Sequence, residues 1–308
     1  MRYDVLVIGD LNVDLNLIGA DVTPAFGQGE KLVDDASLNL GGSSAIFACQ
    51  AARLGLRVAF AGLVGDDTFG HFLLDTLRAR GVDTTHVHVH STIKTGITVH
   101  LVRGDDRAML TYQGTLAALD ASYAPPDLLA QARHVHSGSY FVLPRLQPGL
   151  PALFAEARRQ GATTSLDTNF DPTETWDSRL VDALAHTDVF MPNAQELGHI
   201  SGERELDAAV AWATQRVPTV AVKLGAEGAL ARNAATQAQW KPPPVPVVDT
   251  TGAGDSFNAG FLYGYLNGWA LADAVRLGCA CGALSVSGAG GIDAQPTLDA
   301  ARAFAGLR

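Results

Sequence analysis

The sequence has little cysteine, little charge and no long apolar run, and each shortage removes a class of protein. Cys49, Cys279 and Cys281 are the only cysteines among 308 residues, and their surroundings are mostly apolar. Three scattered thiols cannot build a disulfide scaffold and read as buried free thiols in a reducing cytosol. Cys279-Ala-Cys281 lacks the second Cys/His pair that would complete a metal site. Charged residues make up 18% of the chain, with 22 Lys and Arg against 32 Asp and Glu, a formal net charge of −10. That balance argues against nucleic acid or an anionic membrane surface as the main partner. ATP stays allowed, because local N–H groups, a lysine and Mg²⁺ can hold its phosphates whatever the global charge. No apolar run approaches the ~20 residues of a membrane helix. Met1 to Asp10 is too short and too charged for a signal peptide. A soluble, cytoplasmic protein is expected.

Several signatures are missing as well. No Gly-x-x-x-x-Gly-Lys-Ser/Thr occurs, which excludes the P-loop route to ATP, and no Gly-x-Gly-x-x-Gly follows the first strand, which disfavours a Rossmann dinucleotide site. Neither a Gly-x-Ser-x-Gly elbow nor His-Glu-x-x-His is present.

What is present is an alternation of strand and helix signals from end to end, without repeats or a linker. With 47% apolar residues, the chain can bury the core of one large domain over residues 1–308. The expected fold is α/β: three layers, a mainly parallel sheet with helices on both faces. Val5 to Gly9 and Val58 to Val64 are continuous apolar runs, as in parallel strands covered on both sides. Helices are expected over Ala45–Leu54, Phe69–Arg80, Pro148–Gln160 and Leu271–Val286. Residues 15–40 hold short β-like pieces, and Thr95 to Arg103 turns at Gly104 and returns through Ala108 to Tyr112 as a hairpin. Together they predict a small β-sheet inserted at about 15–40 and 89–114. His86, His88 and His90 share one strand face, but strand neighbours two apart splay and no carboxylates adjoin them. An exposed polar face is the better reading than a metal site.

One stretch organises the rest: Val248-Asp-Thr-Thr-Gly-Ala-Gly-Asp-Ser-Phe-Asn-Ala-Gly-Phe261, preceded by the β-prone run Pro244 to Val248. A strand-to-helix passage through Gly252, Ala253 and Gly254 exposes N–H groups at a positive helix end, an anion site that glycines let a phosphate approach closely. Asp255 is the odd member, since a carboxylate repels phosphate. It becomes useful if it takes a proton from a hydroxyl that attacks the phosphoryl group. An N-cap Asp after a tight turn is the competing reading.

Other polar groups stand at strand or helix ends. Asp10, Asn12 and Asp14 share a face after the first strand, where ligands bind in open α/β sheets. Gly41-Gly42 precedes a helix, allowing close approach of a ligand, and Ser43 is equally a plain N-cap. Asp167 and Asn169 follow a strand and either contact substrate or form a turn. Asn193 and Glu196, three apart at a helix start, could reach one water-ligated Mg²⁺ or form a capping box. Lys223 ends a strand before Gly225 and Gly228.

Asp-Thr-Thr-Gly-Ala-Gly-Asp, residues 249–255, resembles the C-terminal signature of the ribokinase-like (PfkB-type) carbohydrate and nucleoside kinases. Asn193-x-x-Glu196, the Gly41-Gly42 region, Gly65-Asp-Asp and the turn at Gly225 are similar to that family in the same order, across essentially the whole chain. The resemblance implies an ATP-dependent kinase acting on a small sugar, with Asp255 as base and an anion hole at Gly252, Ala253 and Gly254. It places Asn12, Asp14, Gly41, Gly42, Ser43 and Asn169 around the acceptor. Asn193 and Glu196 would order hydrated Mg²⁺, with Asn193, Lys223, Gly225, Gly228 and Thr250 on the nucleotide side. Cys279 stands where related kinases carry a polar residue beside adenine, near a monovalent cation such as K⁺. The inserted sheet is implied to be a lid that also joins a homodimer. Two departures are visible: Ile46 replaces the family's Asn, and Asp171 stands where ketodeoxysugar kinases carry a basic residue, which argues against a sugar acid. A nucleoside kinase of the same fold, with Phe47 and Tyr112 as base-stacking candidates, and a non-catalytic sugar-binding regulator are the alternatives.

Overall fold

The structure, a computed structural model, describes residues 2–104, 106–176 and 179–307. Among the described residues two sheets form. The larger runs in the order β13 (Gln237–Trp240), β12 (Ala229–Asn233), β11 (Thr219–Lys223), β10 (Val189–Phe190), β9 (Thr163–Leu166), β8 (His134–Ser137), β1 (Val5–Ile8), β4 (Val58–Gly65) and β5 (Val87–His90). From β5 across to β11 every pairing is parallel, and β12 and β13 close one edge antiparallel.

Helices cover both faces. Val5 and Val7 of β1 pack with α1 (Ser43–Arg53), α2 (Thr68–Ala79), α8 (Ala253–Leu266) and α9 (Leu271–Ser285). Leu6 and Ile8 point the other way, toward α3 (Pro126–Leu129), α4 (Leu150–Arg159), α5 (Leu180–Leu184), α6 (Ala194–Ser201) and α7 (Leu206–Thr214). α10 (Leu298–Ala305) lies on α9. Burial on both faces is why the central strands read as unbroken apolar runs.

The smaller sheet has the order β3 (Asp35–Gly41), β2 (Asn12–Ile18), β6 (Gly96–Arg103) and β7 (Asp106–Tyr112). Its β2 begins at Asn12, inside the polar run, three residues earlier than the expected insertion. The chain therefore leaves β1 and enters a different sheet within three residues. Asp10, expected to share a face with Asn12 and Asp14, lies between the sheets.

Pro244 to Val248 is not a strand. Pro242, Pro243, Pro244 and Pro246 lack the N–H that a ladder requires. Val247 and Val248 stay exposed, and Val248 and Asp249 are held by their N–H groups to Val286 O at 2.8 and 3.2 Å. The passage into α8 is an extended loop anchored to the end of α9.

Candidate active site

The N-terminus of α1 is capped from a distance. Asp10, just past β1, accepts from Ser43 N at 2.8 Å and Ser44 N at 2.9 Å. Its Oδ2 also accepts from Ser139 Oγ at 2.7 Å. The N-cap residue itself is Gly42, at φ 90° and without a side-chain cap; a Cβ there would sit 2.7 Å from Asp10 O. Ser43 is therefore not the N-cap expected of it. Its hydroxyl donates to Asp255 Oδ1 at 2.6 Å, across 212 residues of sequence. Asn169 Nδ2 donates to both Ser43 Oγ, at 2.7 Å, and Ser139 Oγ, at 2.9 Å. Asn169 and Ser139 both hold positive φ, 53° and 55°, a conformation that costs non-glycine residues about 1–3 kcal/mol and collects at functional sites.

Asp255 lies in the first turn of α8, after Gly252 at φ 73°. That turn presents N–H groups with no carbonyl one turn back to accept them. Ala253 N is turned back toward Thr250 O at 3.3 Å, so its amide is less open than the sequence suggests. Burial is the main reason that the Asp255 carboxyl is pushed up to about 8, followed by the charge of Asp167; Asp10 adds to this, while the Ser43 hydroxyl and Lys223 oppose it. Asp249 accepts from Thr251 N at 2.9 Å and Gly290 N at 3.0 Å, joining the glycine turn to the loop after α9.

Lys223, at the end of β11, is partly buried next to this turn, its Cδ 3.4 Å from where a Cβ of Gly254 would lie. Its Nζ bonds Asp167 Oδ2 at 2.5 Å, and Asn258 Nδ2 donates to the same oxygen. Burial alone would lower Lys223, but Asp167, Glu196 and Asp255 outweigh it and hold the ammonium above its ordinary value. Glu196 and Asn193 form the capping box of α6: Glu196 N to Asn193 Oδ1 is 2.8 Å, and the carboxylate takes Asn193 N at 2.8 Å and Asn193 Nδ2 at 2.6 Å. Burial, then the charge of Asp167, raises Glu196 to about 7. Both carboxylate oxygens are already engaged by Asn193, so this pair suits a hydrated Mg²⁺ reached through water better than direct ligation. The two sequence readings of Asn193 and Glu196 are compatible.

An open cleft of about 560 Å³ is lined by Asn193, Ala194, Gln195, Lys223, Leu224, Gly225 and Glu227. Gly228 does not line it. At φ 84°, Gly228 supports the turn from below, so close to Trp240 O that no side chain would fit. Cys279 is elsewhere: its buried thiol, pushed up to about 12 by burial, donates weakly to Trp240 O at 3.5 Å. Thr250 is exposed.

The smaller sheet turns a polar side inward. Asn12, Asp14, Thr98 and His100 are buried on one face, with Asn12 Nδ2 on Asp14 Oδ1 at 3.0 Å and His100 Nε2 3.4 Å from the same oxygen. Gly41 must be glycine because its Cβ would run into the Asp14 carboxylate. Of the two stacking candidates, Phe47 is fully buried against His136, ring centroids 3.9 Å apart. Tyr112 pairs with Ile97 on the opposite, outer face of the sheet. The His86, His88 and His90 row holds no metal cluster among the described residues; His86 meets Tyr3 Oη at 3.2 Å and His90 Nδ1 accepts from Thr92 N and Ile93 N.

The structure thus joins Ser43, Asn169 and Asp255 in one chain of hydrogen bonds, and Asn193, Glu196 and Lys223 beside it. It leaves Cys279 and Gly228 out of the cleft. Ser139 and Asn258 belong to the site although the sequence did not single them out. Asn258 was within reach, since it lies three residues after Asp255 on the same helical face.

The chain is similar to known proteins along nearly its whole length. The model of the pfkB family carbohydrate kinases matches residues 2–298. The 2-dehydro-3-deoxygluconokinase of Bacillus subtilis is 31% identical over 291 residues, covering 88% of each chain. A structure from E. coli solved in complex with ATP and Mg²⁺ is 25% identical and superposes with a TM-score of 0.87 over 98% of both chains. The adenosine kinase of Sinorhizobium meliloti is 26% identical, with a TM-score of 0.84 over 98% of both chains.

Proposed function

The chain belongs to the pfkB family of carbohydrate kinases and is an ATP-dependent sugar kinase; within that activity, we propose that Asp255 takes the proton of a hydroxyl on a small neutral sugar, a primary CH₂OH, as that oxygen attacks the γ-phosphorus of ATP. The observation that carries this reading is a buried carboxylate, raised to about 8, in the same helical turn as the glycine anion site. One O–P bond forms to the acceptor oxygen, one breaks to the β-phosphate, and the proton moves to Asp255. The amides of Gly252, Ala253 and Gly254 at the N-terminus of α8 oppose the charge on the moving phosphoryl. Lys223 lies beneath them and adds a positive charge.

Asn193 and Glu196 would hold Mg²⁺ through water, which supplies charge neutralisation across the phosphates when bound. Asn193, Lys223 and Gly225 make the cleft for the nucleotide, with Gly228 shaping its turn and Thr250 at its rim. A K⁺ near the loop after α9 belongs to the same proposal, with Asp249 as the nearby anionic group. Such a requirement would appear as a difference in rate between K⁺ and Na⁺ buffers. ATP dependence is the reason to expect a cytoplasmic setting.

The acceptor would lie between Asp255 and the inner face of the smaller sheet, with Asn12, Asp14, Gly41, Gly42 and Asn169 around it. That sheet then acts as a lid that keeps water from competing as acceptor. The preference for a neutral sugar rests on Asp171, whose carboxylate is buried and bonded to Thr173, Thr175 and Trp176, so that an acid stands at that place. Of the two aromatic candidates for the nucleoside alternative, Phe47 is buried against His136 and Tyr112 stands exposed on the outer face of the smaller sheet. The test is ATP consumption with Mg²⁺ against pentoses, hexoses, ketodeoxy acids and nucleosides. We expect turnover on one neutral sugar and a loss of several orders of magnitude in Asp255→Asn with ATP still bound. Near-normal turnover of that variant would remove Asp255 as base.

A further inference from the structure

We propose that Ser43 is a positioning residue for Asp255: its hydroxyl holds Oδ1 and leaves Oδ2 as the oxygen that receives the acceptor's proton. The proposal rests on the reading of Asp255 as base and adds which of its two oxygens reacts and what selects it.

The direction of each bond follows from chemistry. An ionised carboxylate can only accept and an amide NH₂ can only donate. With Asp255 ionised, as a base must be, the Ser43 hydroxyl between Asn169 Nδ2 at 2.7 Å and Asp255 Oδ1 at 2.6 Å accepts from the first and donates to the second. The other proton of Asn169 Nδ2 goes to Ser139 Oγ, whose own proton goes to Asp10 Oδ2. Asp10 Oδ2 also takes Ser43 N, closing the ring. Ser43 cannot change rotamer without breaking two bonds.

The ordinary duty of a serine at a helix start is already taken. Asp10 satisfies the N–H groups of Ser43 and Ser44, so the hydroxyl is not needed as a cap. Asp255 Oδ2 accepts no hydrogen bond among the described residues and is the carboxylate oxygen left for an acceptor. Asn169 Oδ1 is likewise without a donor among the described residues and can orient a sugar hydroxyl. During the transfer one proton passes from the acceptor to Oδ2, while the Ser43 proton stays on Ser43 Oγ and keeps its hydrogen bond to Oδ1.

The charged groups facing Asp255 are Asp167 and Asp10, which disfavour its ionised form, and Lys223, which favours it together with the Ser43 hydroxyl. Removing that hydroxyl should raise the midpoint of Asp255 by about one pH unit, roughly a tenfold shift in its proton affinity. The experiment uses the free full-length protein labelled with ¹³C at the Asp side-chain carboxyls. The Asp255 resonance is identified by its loss in Asp255→Asn, and its titration is followed in Ser43→Ala and Ser43→Thr. The expected result is an upward shift in Ser43→Ala and a midpoint within a few tenths of the parent in Ser43→Thr, which keeps the hydroxyl. With ATP, Mg²⁺ and the sugar turned over in the panel, the acid limb of kcat/KM should move by the same amount, with KM for ATP unchanged. An unmoved midpoint in Ser43→Ala, or equal shifts in both variants, overturns the proposal. Turnover surviving in Asp255→Asn overturns the base assignment instead, and the two failures are separate readings.

Discussion

Arg107, on β7 of the smaller sheet, donates a hydrogen bond of 3.1 Å to Thr251 Oγ1, one residue before the glycine turn of α8. The contact ties the smaller sheet, the proposed lid, to the glycine turn proposed to face the phosphates. Arg107→Ala removes the tie without touching the core, so stability should change by no more than about 0.5 kcal/mol. Steady-state kinetics should show acceptor KM raised and kcat lowered, each by roughly three- to tenfold, because closure becomes less favourable. Unchanged constants would mean that the contact plays no part in closure.

Ile46 stands where the resemblance leads one to expect an Asn, and its surroundings are apolar and tight. It is buried, with its Cγ2 2.8 Å and its Cδ1 2.6 Å from where Cβ atoms of Gly252 and Gly291 would lie. The side chain fills the space against the glycine turn and Gly291. Ile46→Asn is therefore expected to destabilise the fold by about 1–3 kcal/mol through an unpaired buried amide. A urea titration measures this. A variant as stable as the parent, with a lowered acceptor KM, would show that position 46 faces the acceptor after all.

His134 and His136 make a buried pair on β8, both bonded to Ser165 Oγ at 2.7 Å, with His134 also 2.7 Å from Thr163 Oγ1. Burial dominates in holding both below the ordinary histidine range, His136 down to about 3. The sign follows directly. Above about pH 6.5 both rings are neutral whether the chain is folded or not, and they add no pH dependence. Below that value the unfolded chain takes up protons that the folded one refuses, so stability falls as pH drops from 6.5 toward 3. The urea midpoint should decline between pH 7 and pH 5, and His136→Gln should reduce that slope by about half. An unchanged slope in the variant would clear His136 of this role.

The smaller sheet is polar on its buried side and apolar outside. Leu38, Leu15, Val99 and Leu110 form one cross-strand row, with Leu38 40% and Leu110 60% exposed. An exposed apolar face of this kind is a surface for a partner, and we propose a second copy of the chain there. Sedimentation velocity should give a dimer for the parent and a monomer for Leu110→Glu. A monomeric parent at micromolar concentration would discard the interface.

Much of the fold was legible because it rests on local patterns. Val5 to Ile8 and Val58 to Gly65 are apolar throughout, and only a strand covered on both faces allows that. The hairpin through Gly104 and the starts of α6 and α8 were visible for the same reason, since capping and turn chemistry act within a few residues. The passage from Pro244 to Val248 misled because β propensity in its valines cannot replace the N–H groups its prolines lack.

The sequence by itself determined the α/β architecture, the glycine turn at Gly252 to Gly254 and the acid that follows it. Each is encoded in neighbouring residues whose backbone geometry depends on little else. Only the tertiary structure decided that Ser43 bonds Asp255, that Asp10, in the loop after β1, caps α1, and that Lys223 lies between Asp167 and the glycine turn. These partners are 212, 33 and 56 residues apart. Hydrogen bonds and charge pairs act over a few ångströms of space, and no periodicity in the chain records which distant residues folding brings within that range.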